Sequence, residues 1–223
     1  MLVKNWMSKN PITVEEDVSM MEASQLMREK KVRRLPVLNK KGQLTGILSD
    51  RDIKAASPSK ATTLDVHELY YLLAKIKVKE VMTKKPHMIS PEDTIEKAAV
   101  VMLEKKVSGL PVVDDKNNLV GILTQGDVFR VLTTITGVYR GGALFAFELD
   151  DRPGSIKEAA DVIRAAGGAM TSILTSYETA PRGKRNVFFR VQNIPDSEVD
   201  KLIADFKKKF TFLYYVKDEL RTK

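Results

Sequence analysis

Shifted by 75 positions, this sequence lies on itself. Val3 falls on Val78 and Ile53 on Val128 without a gap, and 20 of those 51 positions are identical. Glu29-Lys30-Lys31-Val32 returns as Glu104-Lys105-Lys106-Val107, Leu35-Pro36-Val37 as Leu110-Pro111-Val112, Gly46-Ile47-Leu48 as Gly121-Ile122-Leu123, and Asp52 as Asp127. A gapless internal repeat constrains the fold before composition does, because each copy must build the same local structure. Two copies are too few for a solenoid. They suffice for a pseudo-symmetric pair packed face to face.

Each copy reads β-α-β-β-α. A short extended piece opens it, Pro11 to Val14 or Pro86 to Ile89. A helix follows: Ser19 and Glu22 have capping-box spacing, and Met20, Ala23, Ser24 and Met27 share one face. Ile95, Ala98, Ala99 and Met102 repeat that face behind a cap at Asp93 or Thr94. Strands at Leu35–Leu38 and Leu44–Leu48 flank the polar turn Lys40-Lys41-Gly42-Gln43, which makes a hairpin. Ser49 to Asp52 then opens another helix. Between the copies, Asp65 and Glu68 form a second D-x-x-E box, with Leu69, Leu72, Leu73 and Ile76 as an apolar stripe; Tyr70 and Tyr71 are read as packing residues rather than base-stacking ones.

Composition narrows the function classes. There are no cysteines, so no disulfide framework and no thiolate metal site. The two histidines, His67 and His87, are too far apart in sequence to suggest a metal site. No apolar run approaches the roughly 20 residues of a membrane span, and the N-terminus lacks a signal-peptide core. A cytoplasmic protein without membrane contact is expected. The net charge of +8 divides into +5 over residues 1–137 and +3 over 138–223. The basic runs are short and sit beside helix and turn signals, so solvated faces are the first reading. A nucleic-acid-binding regulator using the basic surface is the alternative.

The repeated heptapeptides Gly46-Ile47-Leu48-Ser49-Asp50-Arg51-Asp52 and Gly121-Ile122-Leu123-Thr124-Gln125-Gly126-Asp127 carry the chemistry. Gly46 admits a close approach by another chain or a ligand. Ser49 stands where a helix begins, and the unpaired N–H groups there favour an anion. A hydroxyl at that spot can donate to phosphate. Asp52, one turn on, can accept from the two hydroxyls of a ribose. Thr124 and Asp127 repeat the arrangement. The competing reading is a ligand-free S-x-x-D capping box.

Leu-Pro-Val on one strand, followed by Gly-Ile-Leu-(Ser/Thr)-x-x-Asp at the next strand-to-helix junction, within a tandem β-α-β-β-α unit, resembles a pair of CBS domains, the Bateman module. The resemblance covers roughly residues 1–135. It implies an adenosine nucleotide as regulatory ligand (AMP, ADP or ATP), or S-adenosylmethionine or a dinucleotide, with no catalytic cofactor. It also implies Ser49, Asp52, Thr124 and Asp127 on phosphate and ribose, and adenine against Thr13-Val14, Met88-Ile89, Leu35-Pro36 and Leu110-Pro111. The second copy keeps the family's glycine as Gly109, where the first has Arg34 preceded by Arg33; the first has Arg51 where the second has Gly126. The first site is therefore expected to be either more cationic or blocked by Arg34, and the two sites unequal. The alternative is that these arginines pair with acids across a dimer.

After Gly137 the pattern changes to β-α-β-β-α-β, the ferredoxin-like order. Asp151-Arg152-Pro153-Gly154-Ser155-Ile156 resembles the helix start of ACT domains. That resemblance implies dimerisation and an amino-acid ligand, with Asp150 or Asp151 on its amine and the N–H groups around Arg152, Pro153, Gly154 and Ser155 on its carboxylate; Pro153 is read into the first helical turn. The alternative is a folding and dimerisation motif only. The fold class expected is α+β: repeat one at 1–56, a helical linker at 57–77, repeat two at 78–137 and an ACT-like domain at 138–223. The whole order resembles the acetoin-utilisation AcuB group. No nucleophile–base pair or phosphate loop is present in the sequence. A non-catalytic regulatory protein is expected, forming a homodimer that acts on a protein target not identified by the sequence.

Overall fold

The computed structural model describes residues 1–56, 71 and 73–217. They form two compact units, Met1–Phe129 and Arg130–Lys223. The first unit contains β1 (Ser8–Lys9), β2 (Val14–Glu15), α1 (Met20–Glu29), β3 (Arg34–Leu38), β4 (Leu44–Ser49) and α2 (Asp50–Ala56). The second repeat follows with α3 (Val78–Val81), β5 (Thr83–Lys84), α4 (Ile95–Glu104), β6 (Gly109–Val113), β7 (Leu119–Thr124) and the start of α5 (Gln125–Ile135). The expected caps form. Ser19 Oγ accepts from Glu22 N at 3.2 Å while Ser19 N donates to Glu22 Oε2 at 3.0 Å. Thr94, not Asp93, caps α4, its Oγ1 accepting from Lys97 N at 3.1 Å.

The strands show a feature the repeat alone did not reveal. Each copy sends its leading strand into the other copy's sheet. The sheets run β2-β3-β4-β5 and β1-β7-β6. Ser8 and Lys9 pair with Ile122 and Gly121, and Thr83 and Lys84 pair with Ile47 and Gly46. These pairings interconvert under the 75-residue shift, so the exchange is reciprocal. It also explains the glycines. A Cβ on Gly121 would stand 2.5 Å from Met7 Sδ and 3.0 Å from Ser8 O, and one on Gly46 would meet Met82 Sδ and stand 3.0 Å from Thr83 O. The close approach expected at Gly46 is thus made by the other repeat's leading segment.

The core of the first repeat is built from the predicted face: Met20, Ala23, Leu35, Val37 and Leu48 are fully buried, joined by Val78 and Leu73. Ile95, Ala98, Met102, Leu110, Val112 and Leu123 are their buried counterparts. Each such Leu, Ile or Met contributes about 1.5–3 kcal/mol by leaving water. Of the linker, Tyr71 is exposed, with Lys75 Nζ 4.2 Å from its ring centroid. Asp65, His67, Glu68, Leu69, Tyr70 and Leu72 lie outside the described residues.

The second unit orders β8 (Ala143–Asp150), α6 (Ser155–Ala165), β9 (Ala169–Ser176), β10 (Lys184–Gln192), α7 (Asp196–Lys209) and β11 (Thr211–Lys217) into one antiparallel sheet, β11-β8-β10-β9. This is the expected ferredoxin-like arrangement. Phe145, Phe147, Phe189 and Phe206 are fully buried between sheet and helices. Phe147 meets Phe206 edge to face at 4.8 Å and Phe189 at 5.7 Å. Helix α6 starts at Ser155 behind Gly154, whose φ of 90° favours glycine. Pro153 therefore precedes the helix instead of sitting in its first turn.

Candidate functional site

Ser49 and Asp52 meet at the β4–α2 junction, and Thr124 and Asp127 at the β7–α5 junction. Ser49 N and Oγ both donate to Asp52 Oδ2, at 2.7 and 2.6 Å, and Asp52 N donates back to Ser49 Oγ at 3.3 Å. Thr124 and Asp127 reproduce the set at 2.9, 2.8 and 3.4 Å. Both junctions are therefore closed capping boxes. The box occupies one carboxylate oxygen of Asp52; a carboxylate has two oxygens and about four lone-pair sites, so accepting capacity is left over.

Each junction opens onto a cleft whose opposite wall comes from the other repeat. Around Thr124 lies a cleft of about 740 Å³, walled by Asn10, Pro11 and Ile12 and by Lys31, Val32 and Arg33. Around Ser49 and Asp52 lies one of about 370 Å³, walled by Lys85, Pro86 and His87 and by Lys106, Val107 and Ser108. Moving either wall by 75 positions generates the other. Both volumes lie in the usual ligand-pocket range, about 300–1,000 Å³. The crossed construction follows from the exchange of leading strands, which carries Pro11 next to β7 and Pro86 next to β4.

The walls are made by unusual backbone. Asn10, Lys31, Lys85 and Lys106 have φ of 49°, 53°, 51° and 53°. Lys31 and Lys106 follow the ends of α1 and α4, where Val32 N donates to Met27 O and Val107 N to Met102 O, each at 3.0 Å. A glycine is the ordinary residue at such a helix end. Lysine there costs backbone energy and supplies a cation to the cleft.

The clefts take in some of the expected site residues and leave others out. Arg33, expected at the Ser49–Asp52 site, faces the Thr124 cleft, while Arg34 and Arg51 line both clefts. The Thr124 cleft carries Lys9, Lys31, Arg33, Arg34 and Arg51, and the Ser49 cleft carries Arg34, Arg51, Lys84, Lys85 and Lys106. Each thus has five basic side chains, so the arginines of the first copy do not make one site the more cationic. Thr13, Val14, Leu35, Pro36, Met88, Ile89, Leu110 and Pro111 line neither cleft, and Thr13 and Val14 border a separate hollow with Val18, Glu22 and Leu26. Leu35 and Leu110 are fully buried core, Val14 and Ile89 nearly so, and Met88 is exposed. Gly109 does line the Ser49 cleft. The wall residues that sequence reasoning missed had a signal: Lys9-Asn10-Pro11 and Lys84-Lys85-Pro86 repeat at the same spacing.

Arg34 crosses between the repeats. Its Nη2 donates to Ser108 Oγ, and its side chain passes over Gly109, where a Cβ would stand 2.8 Å from Arg34 Cδ. Burial lowers its pKa from the usual arginine value; Asp50 opposes the shift, and Arg51 and Arg33 add to it. Within the chain its hydrogen-bond partner is the Ser108 hydroxyl.

In the second unit the charged residues expected to meet an amino acid already have ion-pair partners. Lys184 Nζ lies 2.7 Å from Asp150, Arg185 lies 3.6 Å from Asp151, and Arg152 makes a bidentate contact with Glu158 at 2.8 Å on both arms. Ser155 Oγ donates to Arg152 O at 3.1 Å. The groove between α6 and α7, about 800 Å³, is edged by Glu158, Asp161, Glu198 and Asp205, each already in an ion pair.

The two-copy architecture has counterparts among known proteins. The model for the CBS domain matches residues 3–59 and 78–134, just over half of the chain. Among solved structures, CBSX2 of Arabidopsis thaliana in complex with AMP is 36% identical with a TM-score of 0.50, covering 60% of this chain and 98% of that one. The CBS domain pair of protein MJ0100, in complex with 5′-methylthioadenosine and S-adenosyl-L-methionine, is 30% identical with a TM-score of 0.51, covering 60% and 97%. A putative acetoin utilisation protein (AcuB) from Vibrio cholerae is 26% identical with a TM-score of 0.51, covering 63% and 96%. Some curated relatives are far longer: the chain covers 23% of an L-aspartate semialdehyde sulfurtransferase of Methanocaldococcus jannaschii, 32% identical over 58% of this chain. No helix among the described residues is long and apolar enough to cross a membrane. With two matched copies, reciprocal leading strands and paired clefts, the chain belongs to the CBS-domain family, and its first unit is a tandem CBS pair.

Proposed function

We propose that the CBS pair is a non-catalytic regulatory module whose two clefts bind adenosine compounds: AMP, ADP, ATP or S-adenosylmethionine. The observation that carries this reading is the composite cleft, in which a helix start, bearing Ser49 and Asp52 in one cleft and Thr124 in the other, faces a basic turn from the other repeat. The basic side chains suit a phosphate, and in the Ser49 cleft the second carboxylate oxygen of Asp52 suits a ribose diol. The AMP and S-adenosyl-L-methionine complexes of the similar CBS pairs support the ligand class. Regulation requires that ligand bind two conformations unequally, so that its occupancy is passed to a protein target.

For the second unit the reading favours assembly over amino-acid sensing, because Asp150, Asp151 and Arg152 already have partners. The sheet's edge strands leave Ile173, Leu213, Tyr214 and Val216 more than 40% exposed. Pairing of two copies through this sheet would cover them. The likeness to the Vibrio cholerae chain supports a link to acetoin utilisation at the level of the CBS pair. The test is isothermal titration with AMP, ATP and S-adenosylmethionine, with sedimentation for the oligomeric state. Saturable binding at one or two sites per chain is expected. No heat from any of the three on folded protein would overturn the reading.

A further inference from the structure

The two clefts are not separate sites. They share a wall, formed by Arg34, Arg51 and Ser108, each of which borders both. Arg34 is the centre of that wall. It belongs to the first repeat, lies over Gly109 of the second, and donates to Ser108 Oγ. Gly109 occupies the position equivalent to Arg34, since the two differ by the repeat length of 75. The absence of a side chain at 109 leaves room for the guanidinium at the meeting line of the repeats. One copy has the arginine, and the other has the space for it.

The remaining cations are private. Lys9, Lys31 and Arg33 border only the Thr124 cleft, and Lys84, Lys85 and Lys106 only the Ser49 cleft. A monophosphate can be met by the private set. A triphosphate reaches further and adds charge, so it draws on the shared wall. One guanidinium can present its paired N–H groups to only one phosphate group at full geometry.

On this basis, and resting on the nucleotide reading above, we infer that the clefts compete for Arg34: a polyphosphate nucleotide in one weakens polyphosphate binding in the other. By linkage the effect is reciprocal. The coupling is greater for ATP than for AMP.

Calorimetric titration with ATP and AMP tests this on the full chain and on single-cleft variants. Asp52→Ala disables the Ser49 cleft, and Asp127→Ala, by breaking the cap that holds Thr124, is one way to disable the Thr124 cleft. Gly126→Trp is a second way to fill the Thr124 cleft, from a position where a Cβ meets only Thr124 Oγ1, at 3.5 Å. Each single-cleft variant should take one ATP. In the unaltered chain the second ATP should bind at least about tenfold more weakly than that same cleft does alone, the size expected when one charge-assisted hydrogen-bond set is lost. For AMP the difference should be less than about threefold. Arg34→Gln should weaken ATP binding to each isolated cleft by about tenfold and leave the weak second event of the two-cleft protein almost unchanged. Three results overturn the proposal while leaving the nucleotide reading intact: a second ATP as tight as in the isolated cleft, one cleft that never takes ATP, or an Arg34→Gln variant that weakens both events equally. Absence of any AMP or ATP binding to folded protein overturns the nucleotide reading itself, and the coupling with it.

Discussion

Gly121→Ala tests the exchanged leading strand. The new Cβ would stand 2.5 Å from Met7 Sδ, 3.1 Å from Met7 Cγ and 3.0 Å from Ser8 O. Two of these atoms belong to a packed side chain and one to the backbone of β1, so the leading segment must move. Overpacking of this kind costs about 1–3 kcal/mol, and replacing a strand glycine returns about 0.5–1 kcal/mol. A net loss near 1 kcal/mol is expected, which at a urea dependence of about 2 kcal/mol per molar lowers the midpoint by roughly 0.5 M. The chain has one tryptophan, Trp6, beside Met7, so its fluorescence reports the unfolding of this segment. Met7→Ala should cost less in the Gly121→Ala background than in the unaltered protein, with a coupling of about 1 kcal/mol. Because Asn10 to Ile12 follow β1, the Thr124 cleft should lose nucleotide affinity as well. A neutral or stabilising Gly121→Ala, or a Met7→Ala cost that is the same in both backgrounds, would refute the role given to this glycine.

Lys106→Gly should separate stability from binding: relief of the left-handed backbone raises stability by about 1 kcal/mol, while loss of the cation weakens nucleotide binding at the Ser49 cleft, read by urea melts and calorimetry on one sample. Ser49→Ala should cost about 1 kcal/mol through the lost cap, measured by the same melts; an unchanged midpoint would count against the capping box. Phe147→Ala should destabilise the second unit by about 3–5 kcal/mol, seen in near-ultraviolet dichroism, and leave Trp6 fluorescence unaltered. Acid should also destabilise the protein. Hydrogen bonds lower the pKa of Asp17, Glu22 and Asp93, from Lys79, Ser19 and Lys97 respectively. A carboxylate whose folded pKa is depressed stabilises the fold above its unfolded value, and that contribution disappears as pH falls through the folded one, so thermal midpoints should drop from about pH 4 downward. Midpoints that rise on acidification would contradict these pairings.

Much of this protein was legible in its sequence. The 75-residue shift displayed the two-copy architecture, since identical local sequences build identical elements. Helical spacing at Met20, Ala23 and Met27 displayed a buried face, and the Ser19–Glu22 box marked a helix start, because both are properties of a single helix. The succession of strands and helices in the second unit also followed from local alternation and turns. The hydroxyl–carboxylate pairs at Ser49–Asp52 and Thr124–Asp127 were visible because they are three residues apart. What local pattern cannot show is which repeat faces which. A strand of two residues such as Ser8–Lys9 has too little pattern to announce its partner, so the exchange of leading strands was decided by packing around Gly46 and Gly121. That exchange set Arg33 opposite Thr124 instead of Ser49, while Leu35 and Pro36 are buried within the first repeat. It also brought Arg34 over Gly109. The sequence by itself determined the elements and the two hydroxyl–carboxylate pairs. Only the tertiary structure decided how the pairs are walled and that one arginine stands between them, because those relations join residues far apart in the chain, 75 positions in the case of Arg34 and Gly109.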